Sequence, residues 1–246
     1  MTLNHLLMAL TWTHSDVATT AFREWRKHSP PWASKLCVPP SEYLTCAGWC
    51  LDEHDHPRDL YSQQCFLLVN KEEDAAPLIR AHVEADGSCS SCNTRLYWLF
   101  DFSQSALDFE LIGHVEAPRK VLACLHCAAY GPVYAKYSPA GSSELILAAE
   151  AGDPDEVWDF SGKARALSYL NIPTFAAADT LTLGDATTLG GLPMWHQDAE
   201  YPRCIECGNY MKFLAQHDDS ALGQEGIYYA FYCGNCRVSA VTYQQT

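Results

Sequence analysis

Four Cys-x-x-Cys pairs constrain this chain more than any other feature: Cys89/Cys92, Cys124/Cys127, Cys204/Cys207 and Cys233/Cys236. Each CxxC turn offers two thiolates from one tight loop, and two turns complete a tetrahedral shell with no open position. Thirty-one residues separate the first two pairs and 25 the last two. Spacings of that kind suit two hairpin-borne knuckles facing one another across a zinc ion. The sequence therefore predicts two structural Zn2+ sites, Cys89/Cys92/Cys124/Cys127 and Cys204/Cys207/Cys233/Cys236. A disulfide framework needs an oxidising compartment, to which nothing in the sequence points. A redox CxxC sits at a helix N-terminus, whereas these pairs lie between strand-like runs.

The flanks of the pairs repeat. After Cys92, Leu96, Trp98 and Phe100 alternate; after Cys207, Met211, Phe213 and Ala215 stand at the same offsets. Each set reads as a knuckle running into a half-buried strand. Gly208 and Gly234 fall where a knuckle commonly needs a left-handed backbone, and Asn93 can take that role in the first copy. The offset between copies is 115 residues for the first pair and 109 for the second. The expected fold is α+β, β-dominated, built as a tandem duplication of a zinc-knuckle unit. The expected division is residues 1–40 as an N-terminal helix and linker, 41–138 as the first zinc-binding repeat and 139–246 as the second.

Local signals add detail. SDVATTAFREWRKH has a candidate Asp N-cap, apolar Val17, Ala21, Phe22 and Trp25, and basic residues at its end, which predicts a short helix. SPPWASKLCVPPS then breaks it and reads as a linker. DPDEVWDFSGKARALSYL predicts a second helix, with acids in its first turn and Pro154 near the first helical position. QQCFLLVN, ELILAAE and GIYYAFYC are β-type runs.

The formal charge is -14, and the excess is local: residues 41–86 carry ten acids against three bases, and 141–200 carry ten against two. A phosphate backbone needs the opposite sign, so direct nucleic-acid binding is not expected. Clustered acids suit a basic protein partner, because complementary charge speeds encounter and sets orientation. The apolar N-terminus lacks the leading basic residues of a signal peptide, and no run approaches the ~20 apolar residues that span a bilayer. These observations predict a cytoplasmic chain with no membrane segment.

Other candidates are weaker. His126, inside CLHC, reads as an exposed loop residue beside a complete thiolate shell. Cys46, Cys50 and His54 follow at intervals of four with His56 close by, but Gly48 and Pro57 disfavour the helix that would align them. They read as two semi-buried cysteines followed by a solvated acidic loop. HExxH, GxSxG and phosphate-loop patterns are all missing; GDATTLGG has neither the lysine nor the spacing of a phosphate loop. His196, Asp198 and Glu200 could cluster near the second knuckle but read as turn decoration. The expectation is a binding protein, not an enzyme.

Gly190, Gly191, Pro193 and Trp195, followed by Pro202, Cys204, Cys207, Gly208, Met211, Phe213, Leu214, Ala215 and Gln216, resemble a GG-x-P-x-W turn and P-x-C-x-x-C-G-x-x-M-x-F-L-A-Q segment of the bacterial YwqG-like family. The layout is also similar to that of the eukaryotic programmed-cell-death-two family. The match is specific over about 30 residues, and Ala47-Gly48-Trp49 is a degenerate copy of the turn in the first half. The resemblance implies a duplicated α+β architecture, no established catalytic residues and a binding role. It leads to an immunity protein that inhibits a cognate antibacterial toxin, a nuclease with a basic face, through an acidic surface on a zinc-stabilised scaffold. The alternative is a chaperone or adaptor for a basic protein such as a ribosomal protein.

Overall fold

The computed structural model describes residues 2–70, 79–105, 107–114, 116–147, 163–175, 186–219 and 225–245. The chain opens with α1 (Leu3–Thr13) and α2 (Asp16–Lys27), then two 3-10 turns, Pro31–Lys35 and Pro40–Ala47. Strands β1 (Trp49–Leu51) and β2 (Pro57–Asp59) form a small hairpin. Then come β3 (Cys65–Asn70), β4 (Ile79–Ser88), β5 (Arg95–Asp101), β6 (Lys120–Ala123), the single turn α3 (Leu125–Ala128), β7 (Val133–Tyr137) and β8 (Ser143–Leu147). The remaining strands are β9 (Arg165–Ile172), β10 (Thr188–Gly190), β11 (Lys212–Asp218), β12 (Gly226–Cys233) and β13 (Val238–Gln245).

Helix α2 forms where the sequence predicts it, but its cap is Ser15, whose hydroxyl accepts from the Ala18 N–H at 3.2 Å, and not Asp16. Its buried face is also rotated: Ala18, Thr19 and Phe22 are covered, while Val17 stands in solvent. The proline-rich stretch after it is used for packing, with Trp32 edge-on to Trp25 at 5.0 Å. Leu7, Phe22, Tyr43, Leu44 and Trp49 close a small core, tied by a Trp49 Nε1–H bond to the Thr11 carbonyl at 3.0 Å. The helix expected around 153–170 does not reach its C-terminal part. Residues 165–172 are strand β9, paired with β3 and β4, and 153–162 lie outside the described residues. The β-type runs at 63–70 and 226–233 become β3 and β12; that at 144–150 becomes β8 as far as Leu147, the rest being outside the described residues.

Among the described residues, eleven strands form one antiparallel sheet in the order β6-β5-β4-β9-β3-β10-β11-β12-β13-β7-β8. Strands from both halves of the sequence alternate in it: β3 lies between β9 and β10, and β7 pairs with β13. The sheet curls until its first strand approaches its last ones. The Leu122 N–H of β6 donates to the Tyr137 hydroxyl of β7 at 2.9 Å, so an edge amide finds a partner without a ladder. Inside the curl lie Phe66, Ile79, Phe100, Phe102, Leu122, Tyr228 and Ala230. On the other face Met194, Tyr201, Phe213, Tyr229 and Phe231 make a second core. Seven of the eight β12 residues are therefore buried, alternating between the two cores.

The GGLPMW segment supplies much of that outer cover. Trp195 lies over Phe231 (6.1 Å, 13°) and Tyr229 (4.7 Å, 32°), and the Met194 N–H donates to Gln216 Oε1 at 2.8 Å. Gly190 makes the turn possible: its φ is +69°, and a Cβ there would lie 2.4 Å from the Gln64 carbonyl oxygen and 2.8 Å from Ile112. Gly141 shares the backbone conformation, at φ +87°, but a Cβ there would meet nothing within 4 Å. Gly190→Ala should cost about 3 kcal/mol, combining left-handed strain with overpacking, and Gly141→Ala only about 1 kcal/mol. Thermal melts of the two variants check this, and equal shifts would refute the packing argument.

His114 ties the loop before β6 to β11 by donating from Nε2 to the Phe213 carbonyl at 2.8 Å. Burial lowers its pKa to about 4, overcoming the opposing effect of that bond. The unfolded chain then binds a proton that the folded one refuses, so this contribution is complete above pH ~6.5 and is lost as pH falls towards 4, by roughly 3 kcal/mol. Urea melts from pH 7 to 4 should show His114→Gln flattening the slope.

Candidate metal centres

The two four-cysteine groups form as the spacing predicts. Cys89, Cys92, Cys124 and Cys127 converge in one place, and Cys204, Cys207, Cys233 and Cys236 in another. The construction is the same in both. One knuckle leads into a strand and the other follows the strand paired with it: Cys92 precedes β5 and Cys124 follows β6, as Cys207 precedes β11 and the Cys233 pair ends β12. Because each strand pair is antiparallel, both knuckles arrive at the same end of it.

The first knuckle of each group repeats in its backbone. The Cys89 N–H donates to Thr94 O and the Asn93 N–H to Cys89 O, each at 2.8 Å; Cys204 to Asn209 and Gly208 to Cys204 match them at 2.8 Å. Asn93 (φ 59°) and Gly208 (φ 73°) take the left-handed conformation expected of them. Gly234 does not; in the last knuckle the left-handed residue is Arg237, at φ 54°. A register shift follows at matching positions, between Trp98 and Phe100 beside the first group and between Phe213 and Ala215 beside the second.

The sulfurs are spaced for one ion. Cys89–Cys127 is 3.7 Å, Cys92–Cys124 3.5 Å and Cys207–Cys233 3.8 Å. Four sulfurs held tetrahedrally at about 2.3 Å from a zinc-sized ion lie about 3.8 Å apart, whereas a disulfide needs about 2.05 Å. The first group is the more enclosed; in the second, Cys207 is exposed and Cys233 and Cys236 are half-buried.

Without a cation the thiols cannot all ionise. Burial raises Cys124 to about 12 and Cys233 to about 11, and raises Cys127 and Cys236 as well. Burial also acts on Cys92, but bonds from Thr94 and the neighbouring cysteines outweigh it and lower its pKa. The Thr94 hydroxyl sits 2.9 Å from Cys92 Sγ and 3.4 Å from Cys124 Sγ, where it can orient a bound thiolate. A dication supplies the charge that lets four sulfurs ionise together.

The weaker candidates are not brought into metal geometry. Cys46 lies in a 3-10 turn and Cys50 in β1, with Arg58 donating to its sulfur at 3.6 Å, while His54 and His56 stand in solvent on the β1–β2 hairpin. His126 departs from expectation: it is buried, at 3% exposure, because CLHC coils into α3 beneath the sheet. His196 is half-buried while Asp198 and Glu200 are exposed, and the three form no metal-ligating group. One cluster has almost no signal in the sequence: His82, His217 and Asp219, all buried. The only hint to it is the His-x-Asp spacing at 217–219.

Cys207→Ser is expected to remove one equivalent of bound metal and loosen β11–β12, leaving the first centre loaded. Metal analysis with thermal melts checks this; unchanged metal content and stability would refute it.

None of the described helices is long and apolar enough to cross a membrane. No family model matches the chain, and no solved structure matches it. It is similar to a Salmonella typhimurium (strain LT2) protein called uncharacterized protein YpfL, with 33% identity over 256 aligned positions that take in 98% of this chain and 58% of that protein. The chain thus spans less than two thirds of the length of the curated relative it matches.

Proposed function

We propose that this chain is a binding protein whose sheet, stapled by two zinc ions in the four-cysteine groups, presents acidic surface to a basic protein partner. In this reading it is an immunity protein that covers the basic substrate face of a cognate nuclease toxin. The observation that carries it is the use of charge within the molecule. Arg26 and Lys27 pair with Asp55, Arg80 and Lys120 with Asp101, Arg95 with Glu84, Lys136 with Glu206, Arg203 with Glu42 and Arg237 with Glu116. Eight of the fifteen described Lys and Arg side chains are thus engaged by carboxylates of the same chain, while Glu53, Asp86, Glu144 and Asp198 face solvent. Seven of the ten acids in 141–200 lie outside the described residues.

Metal loading reinforces the sign. Each filled four-cysteine site adds four thiolates and one dication, so two of them take the formal charge from -14 to about -18. Rigid knuckles also reduce the ordering entropy lost on association. The matched backbone bonds, left-handed residues and register shifts of the two centres support a tandem duplication, and that reading is kept with the resemblance to the YwqG-like family.

Expression of the product of the adjacent reading frame should arrest growth of a host, and co-expression of this chain should relieve the arrest. Arrest that persists with this chain present would sink the immunity reading. The purified pair should associate at least ~10-fold more slowly at 0.5 M than at 0.05 M salt. Recovery with a basic ribosomal protein instead of a toxin would favour the chaperone reading.

A further inference from the structure

We propose that His82, His217 and Asp219 form a third metal site, within the curled sheet and sharing no residue with the four-cysteine groups, for a divalent transition ion that favours nitrogen and oxygen donors. His217 and Asp219 are two residues apart, so they project from the same face at the end of β11. The Asp219 N–H donates to the Gly226 carbonyl at 3.0 Å, which extends the β11–β12 pairing and fixes its carboxylate there. His82 arrives from β4, four places away in the strand order.

Its backbone is the unusual part. His82 has φ 54° inside a strand, a conformation that costs a side-chain-bearing residue about 1 kcal/mol and concentrates at functional positions. The result is that its ring lies on that of His217, with centroids 4.3 Å apart and planes 27° apart. One ligand atom from each of the three residues lies within 4.8 Å of the others. An ion held at about 2.1 Å by each donor places them roughly 3 to 3.5 Å apart, so small side-chain rotations close the site.

The second observation is unmet hydrogen-bonding capacity. His217 and Asp219 are both fully buried, and neither the two ring nitrogens nor the two carboxylate oxygens have a hydrogen-bond partner among the described residues. The surroundings are aromatic, with Phe100 5.8 Å from His217 and Tyr228 6.0 Å from His82. Leaving a buried carboxylate and imidazole unpaired in such a place is expensive, and a bound cation removes the cost. Arg165 gives Asp219 no hydrogen bond: its Nε and Nη2 donate to Asn70 Oδ1 at 3.0 and 2.8 Å and its buried Nη1 reaches no acceptor among the described residues, although its charge and that of Lys163 favour the Asp219 carboxylate. Burial also keeps both imidazoles neutral, with His82 lowered to about 3, so their lone pairs are available to a metal.

Two imidazoles and a carboxylate suit Zn2+, Fe2+, Mn2+ or Co2+. Three protein donors leave at least one coordination position for water or an exogenous ligand, unlike the closed four-cysteine centres. The site therefore goes beyond an acidic binding surface, and its test reads separately from the thiolates. Protein saturated with Co2+ and desalted should retain three equivalents of transition metal per chain. Cobalt in the thiolate sites gives sulfur-to-metal charge-transfer absorption, and the third ion lacks it. Asp219→Asn and His82→Gln should each lose one equivalent and leave that absorption unchanged. Two equivalents in the unaltered protein, or three retained by both variants, would overturn the proposal. The count on the unaltered protein decides even if a variant fails to fold.

Discussion

An antiparallel strand pair whose open end brings four sulfurs to one point is the arrangement on which the rest of the structure depends. The connections from β5 to β6 and from β11 to β12 are longer than a two-residue hairpin loop: 18 residues separate the first two strands and seven the second two. Slipping either pair by one residue would turn every buried side chain to the opposite face. For β12 that would exchange Tyr228 and Ala230 with Tyr229 and Phe231 between two differently shaped cores. A metal bound by the knuckles would forbid it, because its sulfur ligands tolerate displacements of tenths of an ångström, whereas a slip moves them by about 3.4 Å.

With those pairs aligned, the other strands have a template. β13 continues from β12 over eight paired residues, and β7 follows on β13. The first half of the chain thus returns to the second half's sheet, and Tyr137 bridges the two ends through Leu122 and Ser239. The register shifts at Trp98/Phe100 and Phe213/Ala215 sit close to the knuckles. Such irregularities increase local twist and bend, which helps a sheet of this width curl back on itself.

How much of this is legible in the sequence follows from the range of the forces involved. The knuckles and the strands leaving them can be read because their signals are local: spacing, alternation and the conformational tolerance of Asn93 and Gly208. β9 reads as a helix because acids and Pro154 mimic a helix start, and only pairing with β3 and β4 makes residues 165–172 extended. His126 looks exposed for want of any local sign that CLHC coils under the sheet. The linker-like SPPWASKLCVPPS hides a packing role that depends on Trp25. The interleaving of the halves rests on contacts such as β3 with β10, more than a hundred residues apart in sequence, which no window of sequence reports. The same applies to the His82 site, joined across 135 residues to His217.

The chain also separates its charge by depth. Surplus carboxylate is left in water, where each group costs little and keeps the surface negative. Most of the groups that can hold a cation are drawn inward, where low dielectric makes unpaired polarity costly and makes an ion correspondingly valuable. The cysteines at the strand ends converge in sets of four, where one dication per set would satisfy that demand. For His217 and Asp219 that demand stays open: their side-chain polar atoms have no partner among the described residues, in a core otherwise filled by aliphatic and aromatic side chains. A fold that needed only rigidity would be better served there by apolar residues of similar volume, because a buried polar cluster half satisfied is worse than none. Keeping two imidazoles and a carboxylate at that point, with His82 in a strained backbone, is consistent with a ligand's requirement rather than the sheet's.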